Sequence, residues 1–182
     1  EGNVSNLDHE RLGLRLGEGK EVLVNETLET SVPGIFAAGS VIGRTASAGL
    51  SEEEGRIAAD SALGKTKLHN ADWIPFIVHT RPEIATVGCF AEEAHHKGFR
   101  AVEGRCEARS LDYALMGEGS SGFFKVAADK KSGMVIGVQL VSPRASELIS
   151  LVLLAMKKGI KVGALASLAG DGFNEIQGIR EA

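Results

Sequence analysis

The sequence has 182 residues, a formal net charge of −4, 43% hydrophobic and 24% charged residues, and 23 glycines, a composition typical of a globular protein of about one large domain. The acidic balance argues against a nucleic-acid partner, and two cysteines cannot supply a disulfide scaffold or a four-cysteine zinc site. No apolar run approaches the ~20 residues that span a bilayer, so we expect no membrane partner.

The amino terminus has neither the basic nor the apolar segment of a secretory signal peptide, which predicts a cytoplasmic protein. The first residue is Glu1 rather than Met. We therefore expect either a processed chain or a piece of a longer one.

Two short strands are predicted early in the chain, over residues 21–24 and 35–38. The second is apolar throughout and ends at Gly39 and Ser40. Ligands of open α/β sheets bind at the carboxyl ends of strands, where glycine lets the backbone approach a phosphate or a sugar. The same pattern also serves simple packing, so the residues alone leave both interpretations open.

A helix is predicted to follow this turn and to stop at Gly64, because glycine favours the carboxyl ends of helices. Ser51 and Glu54 have the spacing of a capping box, in which each side chain bonds a backbone N–H of the first turn. A start a few residues earlier, near Thr45 or Ser47, also fits the sequence.

Residues 65–74 are polar and without periodicity, which predicts a linker, and the pattern changes to an α+β layout from Pro75 onward. The remaining elements are predicted as strands over 84–87, 101–108, 123–128 and 134–141, and as helices over 91–97, 145–158 and 162–168. The short connection between the last two strands is typical of a hairpin.

Residues 148–156 leave almost no polar face on the predicted helix. A helix that is apolar all round must be covered on every side, and this one is too short for a membrane span. One face can pack on the predicted sheet, and a partner subunit would cover the other. The alternative is a helix buried inside a monomer.

The sequence contains no P-loop, CxxC, HExxH or GxSxG motif, and we predict no metal site. His95 and His96 are adjacent on a predicted helix, and adjacent helical side chains do not face one site, which predicts surface imidazoles. Cys89 and Cys106 lack the spacing of a redox motif, which predicts buried and inert thiols.

Motifs along nearly the whole chain carry a family resemblance. TSVPGIFAAGS at residues 30–40 is similar to TSVPGIYAIGD of the flavin domain of class I pyridine nucleotide–disulfide oxidoreductases, and EEGRIAA at 53–59 matches the helix that follows there. Further similar segments are RPEIATVG (81–88), GFFKV (122–126), IGV (136–138) and ASELI (145–149). The chain therefore resembles the C-terminal part of this family, in its dihydrolipoamide dehydrogenase-like branch.

The resemblance implies an α+β fold for residues 75–182, an antiparallel sheet flanked by helices that forms the dimerisation (interface) domain of a homodimer. Residues 1–64 would be the C-terminal remnant of the NAD(P)- and FAD-binding domains. FAD and NAD(P) are implied for the full-length parent. None is expected to bind the fragment alone, because the family's amino-terminal FAD segment, redox cysteine pair and NAD(P) glycine fingerprint are missing here.

The resemblance also implies site residues. Gly39, Ser40 and Ala48 fall where the family contacts its flavin, with Ser40 in place of an Asp that bonds the flavin's ribitol chain. The family's C-terminal HPTLSE, whose His is the acid–base group, reads GDGFNE here and begins at Gly170. Glu175 remains as the candidate catalytic residue without its partner His.

Three functions stay open on these residues. The first is the dimerisation portion of an FAD-dependent, NAD(P)-linked disulfide oxidoreductase that acts on a dithiol or disulfide. The second is a non-catalytic dimerisation or scaffold module. The third is a flavin reductase of altered substrate, whose electron acceptor is a metal ion, a quinone or a small disulfide and needs no His.

Overall fold

The computed structural model describes residues 2–43, 47–65, 74–112, 114, 121–168 and 175–182. The chain divides into two compact units, Glu1–Ala71 and Asp72–Ala182. Among the described residues, no helix is long and apolar enough to cross a membrane.

The first unit is built mainly from turns around a small apolar core. Its helices are α1 (His9–Leu12) and α2 (Ala48–Ala62), and a 3₁₀ helix covers Gly39–Ile42. The buried core side chains are Val4, Val22, Leu28, Ile42 and Ile57. Because few side chains are buried, the turns are held largely by hydrogen bonds from backbone and side-chain groups.

The strands predicted over residues 21–24 and 35–38 are wrong. The structure has only isolated antiparallel bridges there, Leu16 with Val22, Val24 with Thr30 and Glu29 with Phe36. Tight turns separate these bridges: the Asn25 side chain accepts hydrogen bonds from the N–H groups of Thr27 and Glu29. The chain therefore reverses direction before a second pair of residues can form.

The helix α2 begins at the earlier of the positions that fit the sequence. The Ser47 hydroxyl accepts a hydrogen bond from the Leu50 N–H at 3.1 Å and caps the first turn. The capping box at Ser51 is therefore wrong. The predicted stop at Gly64 is confirmed, because its φ is +76° and its N–H bonds the Ser61 carbonyl, as in a glycine-terminated helix end.

The second unit contains one antiparallel sheet of five strands. The strands are β1 (Phe76–Val78), β2 (Glu83–Gly88), β3 (Ala101–Glu107), β4 (Phe123–Asp129) and β5 (Val135–Ser142), in the spatial order β1-β2-β5-β4-β3. All four longer strands agree with the sequence prediction, and β4 and β5 form the predicted hairpin. The three-residue β1 was not predicted, since it is too short to show a period.

Helices pack against this sheet. They are α3 (Ala91–His96), α4 (Ala145–Lys157), α5 (Val162–Ala166) and α6 (Ile176–Glu181). The first three agree with the predicted helices, whereas α6 was not predicted. The helix α4 packs on β2 and β5, and α6 packs on β3 and β4.

Apolar side chains from one face of the sheet and from α4 form the main core, with Phe124, Leu140 and Ile149 fully buried. The contact between α6 and β4 is close because Gly178 lies directly against the Phe124 ring. A Cβ atom at this position would overlap the ring. The sheet is therefore the rigid scaffold on which the ends of α4 and α6 are positioned.

Candidate functional site

A buried carboxylate, that of Glu54, fixes the turn at Gly39. The φ of Gly39 is +79°, a left-handed conformation that favours glycine. Its N–H donates a 2.7 Å hydrogen bond to Oε2 of Glu54, whose residue is 0% exposed. The sequence assigned Glu54 to a capping box, whereas the structure uses it to fix the start of the 3₁₀ helix against α2.

The predicted flavin contacts lie on two neighbouring pieces of the first unit. Gly39 packs against the Ser51 side chain of α2, where an added Cβ would lie 3.4 Å from the Ser51 hydroxyl. Ser40 and Ala48, the latter the first residue of α2, are both exposed. The structure thus brings Gly39 and Ser40 against the helix that begins at Ala48.

This surface fits part of a large polar ligand such as FAD. Small side chains at Gly39, Ser40 and Ala48 leave the backbone accessible, and a Cβ atom at Gly49 would meet nothing within 4 Å. The amino-terminal end of α2 adds the favourable partial positive charge of a 15-residue helix. The small side chains and the helix terminus are therefore compatible with one edge of such a site.

Glu175 lies in the second unit, at the start of α6, and is 4% exposed. Both of its oxygens accept hydrogen bonds from Arg144: Oε2 from the backbone N–H at 3.2 Å and Oε1 from Nε at 3.3 Å. Since Arg144 is the residue just before α4, Glu175 ties the start of α6 to the start of α4. The segment from Gly170 to Asn174 lies outside the described residues.

A second carboxylate, Glu83, binds the same end of α4. Its Oε2 accepts the Ser146 N–H at 2.9 Å, and its Oε1 lies 2.9 Å from Nδ1 of His79. Hydrogen bonds from the Ser146 side chain and backbone, and then from His79, lower the pKa of Glu83 to about 2. The amino terminus of α4 is therefore held by two acidic side chains.

The contact between Glu83 and α4 was not predicted from the sequence. Acidic side chains near the amino terminus of a helix are stabilising because they bond otherwise unpaired N–H groups and oppose the helix dipole. Glu83 is far from α4 in sequence and reaches it only because β2 lies beside β5, which leads into α4. No local motif could have shown this contact.

Cys89 and Cys106 are buried and His95 and His96 are exposed, as predicted. Within the described part of the chain, no group of three or more His, Cys, Asp or Glu residues could hold a metal ion.

The sequence was expected to contain no GxGxxG, the spacing of the NAD(P) glycine fingerprint, and that expectation was wrong. Gly117, Gly119 and Gly122 have the spacing GxGxxG. A dinucleotide fingerprint follows a strand and opens a helix, whereas Gly122 leads directly into β4 and lies against the Val141 carbonyl. The triplet therefore does not have the context of a pyrophosphate cradle.

Comparison with known proteins agrees with the fold. Residues 74–169 match the family model of the pyridine nucleotide-disulphide oxidoreductase dimerisation domain, and residues 1–58 match the pyridine nucleotide-disulphide oxidoreductase model. The chain belongs to the pyridine nucleotide-disulphide oxidoreductase family, and its second unit contains the family's dimerisation domain. The α+β fold predicted from the resemblance is confirmed.

Similar proteins include two curated enzymes. A dihydrolipoyl dehydrogenase of Thermus scotoductus is 35% identical over 156 residues, which is 86% of this chain and 34% of the relative. A mercuric reductase of Acidithiobacillus ferrooxidans is 28% identical over 180 residues, which is 99% of this chain and 33% of the relative. The chain therefore spans about a third of the length of these relatives.

Solved structures show the same fold. The crystal structure of LpdA from Mycobacterium tuberculosis superposes with a TM-score of 0.83 at 33% identity, over 100% of this chain and 40% of that one. The HOCl-induced flavoprotein disulfide reductase RclA from Escherichia coli, solved as a Cu(II) complex, gives a TM-score of 0.81 at 22% identity over 98% of this chain and 42% of that one.

Proposed function

We propose that this chain is the dimerisation portion of a cytoplasmic, FAD-dependent and NAD(P)-linked oxidoreductase related to dihydrolipoyl dehydrogenase, in which the acid–base pair of the dithiol reaction is missing. The observation that carries the proposal is the position of Glu175. Its carboxylate bonds both the backbone and the guanidinium of Arg144, and Gly170 stands where the family resemblance expects the His.

The proposal assigns flavin contact to Gly39, Ser40 and Ala48 in the longer protein. A bound flavin would accept a hydride from a nicotinamide and pass electrons to an acceptor. The exposed hydroxyl of Ser40 would bond the ligand's polar chain. Because Ser40 is neutral, that bond lacks the charge assistance that a carboxylate provides.

The proposal also includes a two-fold homodimer. The helix α4 buries Ile149, Val152 and Ala155 against the sheet, whereas Leu151 and Leu154 on its other side are 38% and 54% exposed. Exposed leucines on a helix of a dimerisation domain support an α4 contact between subunits. Cys89 and Cys106 are buried and are not joined as a disulfide, which fits a reducing compartment.

Acid–base chemistry supports an electron acceptor other than a dithiol. Exchange of protons with a dithiol at neutral pH needs a group that titrates near neutrality, and such groups contribute about 10²–10⁴-fold in rate. The segment GDGFNE at 170–175 contains no His. Electron transfer from NAD(P)H to a quinone does not need such a group.

The test compares two acceptors in the longer protein that contains this chain with FAD bound. We expect a steady NAD(P)H–quinone rate and a dihydrolipoamide rate about 10²-fold or more below that of an ordinary dihydrolipoyl dehydrogenase. The Gly170→His variant is the matched control and should raise the dihydrolipoamide rate alone. An ordinary dihydrolipoamide rate in the unaltered protein would contradict the proposal.

A further inference from the structure

Two turns of the second unit join to form a basic surface. The tip of the β4–β5 hairpin and the turn between α4 and α5 are linked by hydrogen bonds from the Val162 N–H to the Gly133 carbonyl at 2.8 Å and by a bridge between Met134 and Lys161. The two turns also pack together, because an added Cβ at Gly159 would lie 3.5 Å from the Met134 sulfur. The two turns therefore form one continuous surface.

Six exposed cations lie on these turns and on the adjoining residue before β3. We call this group the basic turn surface, and it consists of Arg100, Lys130, Lys131, Lys157, Lys158 and Lys161. Lys130 and Arg100 are linked because the Lys130 N–H bonds the Arg100 carbonyl at 2.7 Å. Within the described part of the chain, none of the six side chains forms an ion pair.

Asp129 is the one acidic side chain of these turns, and it offsets only a small part of the positive charge. Glu147, at the opposite end of α4, is the only Asp or Glu between residues 130 and 170. Asp129 is 7% exposed, and its oxygens accept hydrogen bonds from the Arg100 N–H and from the N–H and hydroxyl of Ser132. The Ser132 side chain, more than any other group, lowers the pKa of Asp129 to about 2, so the carboxylate is charged at neutral pH and offsets one of the six positive charges.

The carboxyl end of α4 explains only part of this charge. Lys157 and Lys158 stabilise the end of a helix whose dipole favours cations there. Lys130, Lys131 and Lys161 lie at no helix carboxyl end and have no such role. On a chain of net charge −4, a local excess of unpaired cations favours the binding of an anionic ligand.

We infer that the basic turn surface binds a short acidic segment of a partner protein. Two apolar side chains, Met134 and Ile160, are 38% and 36% exposed between the cations, which favours a polypeptide that carries an apolar residue among its carboxylates. A cleft of about 530 Å³ lined by Gly98, Arg100, Asp129 and Lys131 adjoins the turns, and its two cations outnumber the single carboxylate of Asp129.

The charge of the whole chain decides between classes of anion. An extended polyanion, such as a nucleic acid or an anionic membrane, also meets the acidic remainder of the chain and is repelled by it. A short segment interacts only with charges within the screening distance, about 8 Å at physiological ionic strength.

The test uses the 182-residue chain and a short fluorescein-labelled peptide that alternates Glu with Leu, with fluorescence anisotropy as the readout. The triple variant Lys131→Glu, Lys158→Glu and Lys161→Glu should weaken binding about tenfold or more, because three favourable charge pairs become repulsive. Binding of the unaltered chain should also weaken as salt is added.

The matched control is Arg11→Glu, Arg15→Glu and Arg109→Glu, which changes the net charge equally at exposed sites outside the surface. It should bind the peptide within about twofold of the unaltered chain. Circular dichroism confirms that both variants are folded. Equal loss in both variants, no binding by the unaltered chain, or binding to phosphatidylglycerol vesicles or RNA but not to the peptide would each overturn the inference.

Discussion

At the scale of single residues, Glu83 shows how one side chain can hold together elements that are distant in sequence. Its carboxylate bonds the Ser146 N–H at the start of α4 and lies 2.9 Å from His79. These hydrogen bonds favour the charged form, which explains the pKa of about 2. Glu83 thus acts as a helix cap supplied by a neighbouring strand.

We predict that Glu83→Gln lowers the free energy of unfolding by about 1–2 kcal/mol at pH 7, since a charged acceptor at a helix terminus becomes neutral. The native pKa lies below the ordinary value of 4.5, so the stabilisation is complete above that pH. It is lost as the pH falls from 4.5 towards about 2.

Urea unfolding measured as a function of pH checks this prediction. Asp129 also has a lowered pKa of about 2, so both proteins should lose stability in acid. The difference between Glu83→Gln and the unaltered chain isolates Glu83, and it should shrink towards zero at low pH. A difference that stays constant from pH 7 to pH 3 would show that the charge of Glu83 is not the cause.

At the scale of elements, α4 combines a buried face with an exposed apolar one. Ile149 is 0% exposed and Leu154 is 54% exposed. The sequence analysis expected a helix apolar on all sides and left open whether a partner or the monomer covers it. The structure shows which α4 residues are buried in the core of the monomer. Substituting those residues would unfold the monomer, so such variants could not show whether α4 forms a subunit contact.

We predict that Leu154→Asp converts a homodimer into a folded monomer. The substitution places a charge on the exposed side of α4, where it costs little in the monomer but is buried in a subunit contact. Light scattering measures the mass and circular dichroism the fold. Ile149→Asp is the contrasting variant and should unfold the second unit, because it buries an unpaired charge. An unchanged dimer in Leu154→Asp would place the contact elsewhere.

The sequence predicted the longer elements well and the turn-rich ones poorly. The strands β2 to β5 and the helix α4 each contain enough residues to show a period of 2 or an apolar run. By contrast, the apolar residues at 35–38 form only one isolated β-bridge, between Phe36 and Glu29. Their hydrophobicity serves a small core rather than a sheet, a difference that local pattern cannot show.

The candidate site was predictable where it depends on local chemistry. The glycine at position 39 indicated a turn, and its φ of +79° agrees with that prediction. The carboxylates of Glu54, Glu83 and Glu175 bond partners between 15 and 63 residues away in sequence. Contacts of this kind depend on the completed fold, so residue spacing alone could not reveal them.

At the scale of the whole molecule, the proposed flavin contacts would form only one edge of a cofactor site. We predict that the 182-residue chain binds neither FAD nor NAD(P) tightly. Its described residues place small side chains at the Gly39 turn, whereas tight dinucleotide binding needs a glycine-rich cradle for the pyrophosphate at a strand–helix junction. Gly122, the described glycine of the GxGxxG triplet, leads into the strand β4 rather than into a helix.

Incubation with excess FAD, followed by gel filtration and an absorbance spectrum, measures flavin retention. We expect colourless protein. A longer protein that adds the amino-terminal domains is the positive control and should retain FAD. Stoichiometric flavin on the 182-residue chain would show that the Gly39 surface binds the cofactor unaided.

The contact between Gly178 and the Phe124 ring also constrains how relatives of this chain can diverge. No side chain fits between α6 and β4 while the ring is present, so a larger residue at 178 becomes acceptable only after the aromatic residue at 124 has been replaced by a smaller one. The two positions should therefore covary among homologues. A substitution at 178 alone would shift α6 and with it Glu175, which lies three residues earlier. A change at a residue that takes no part in any reaction would therefore alter the candidate site.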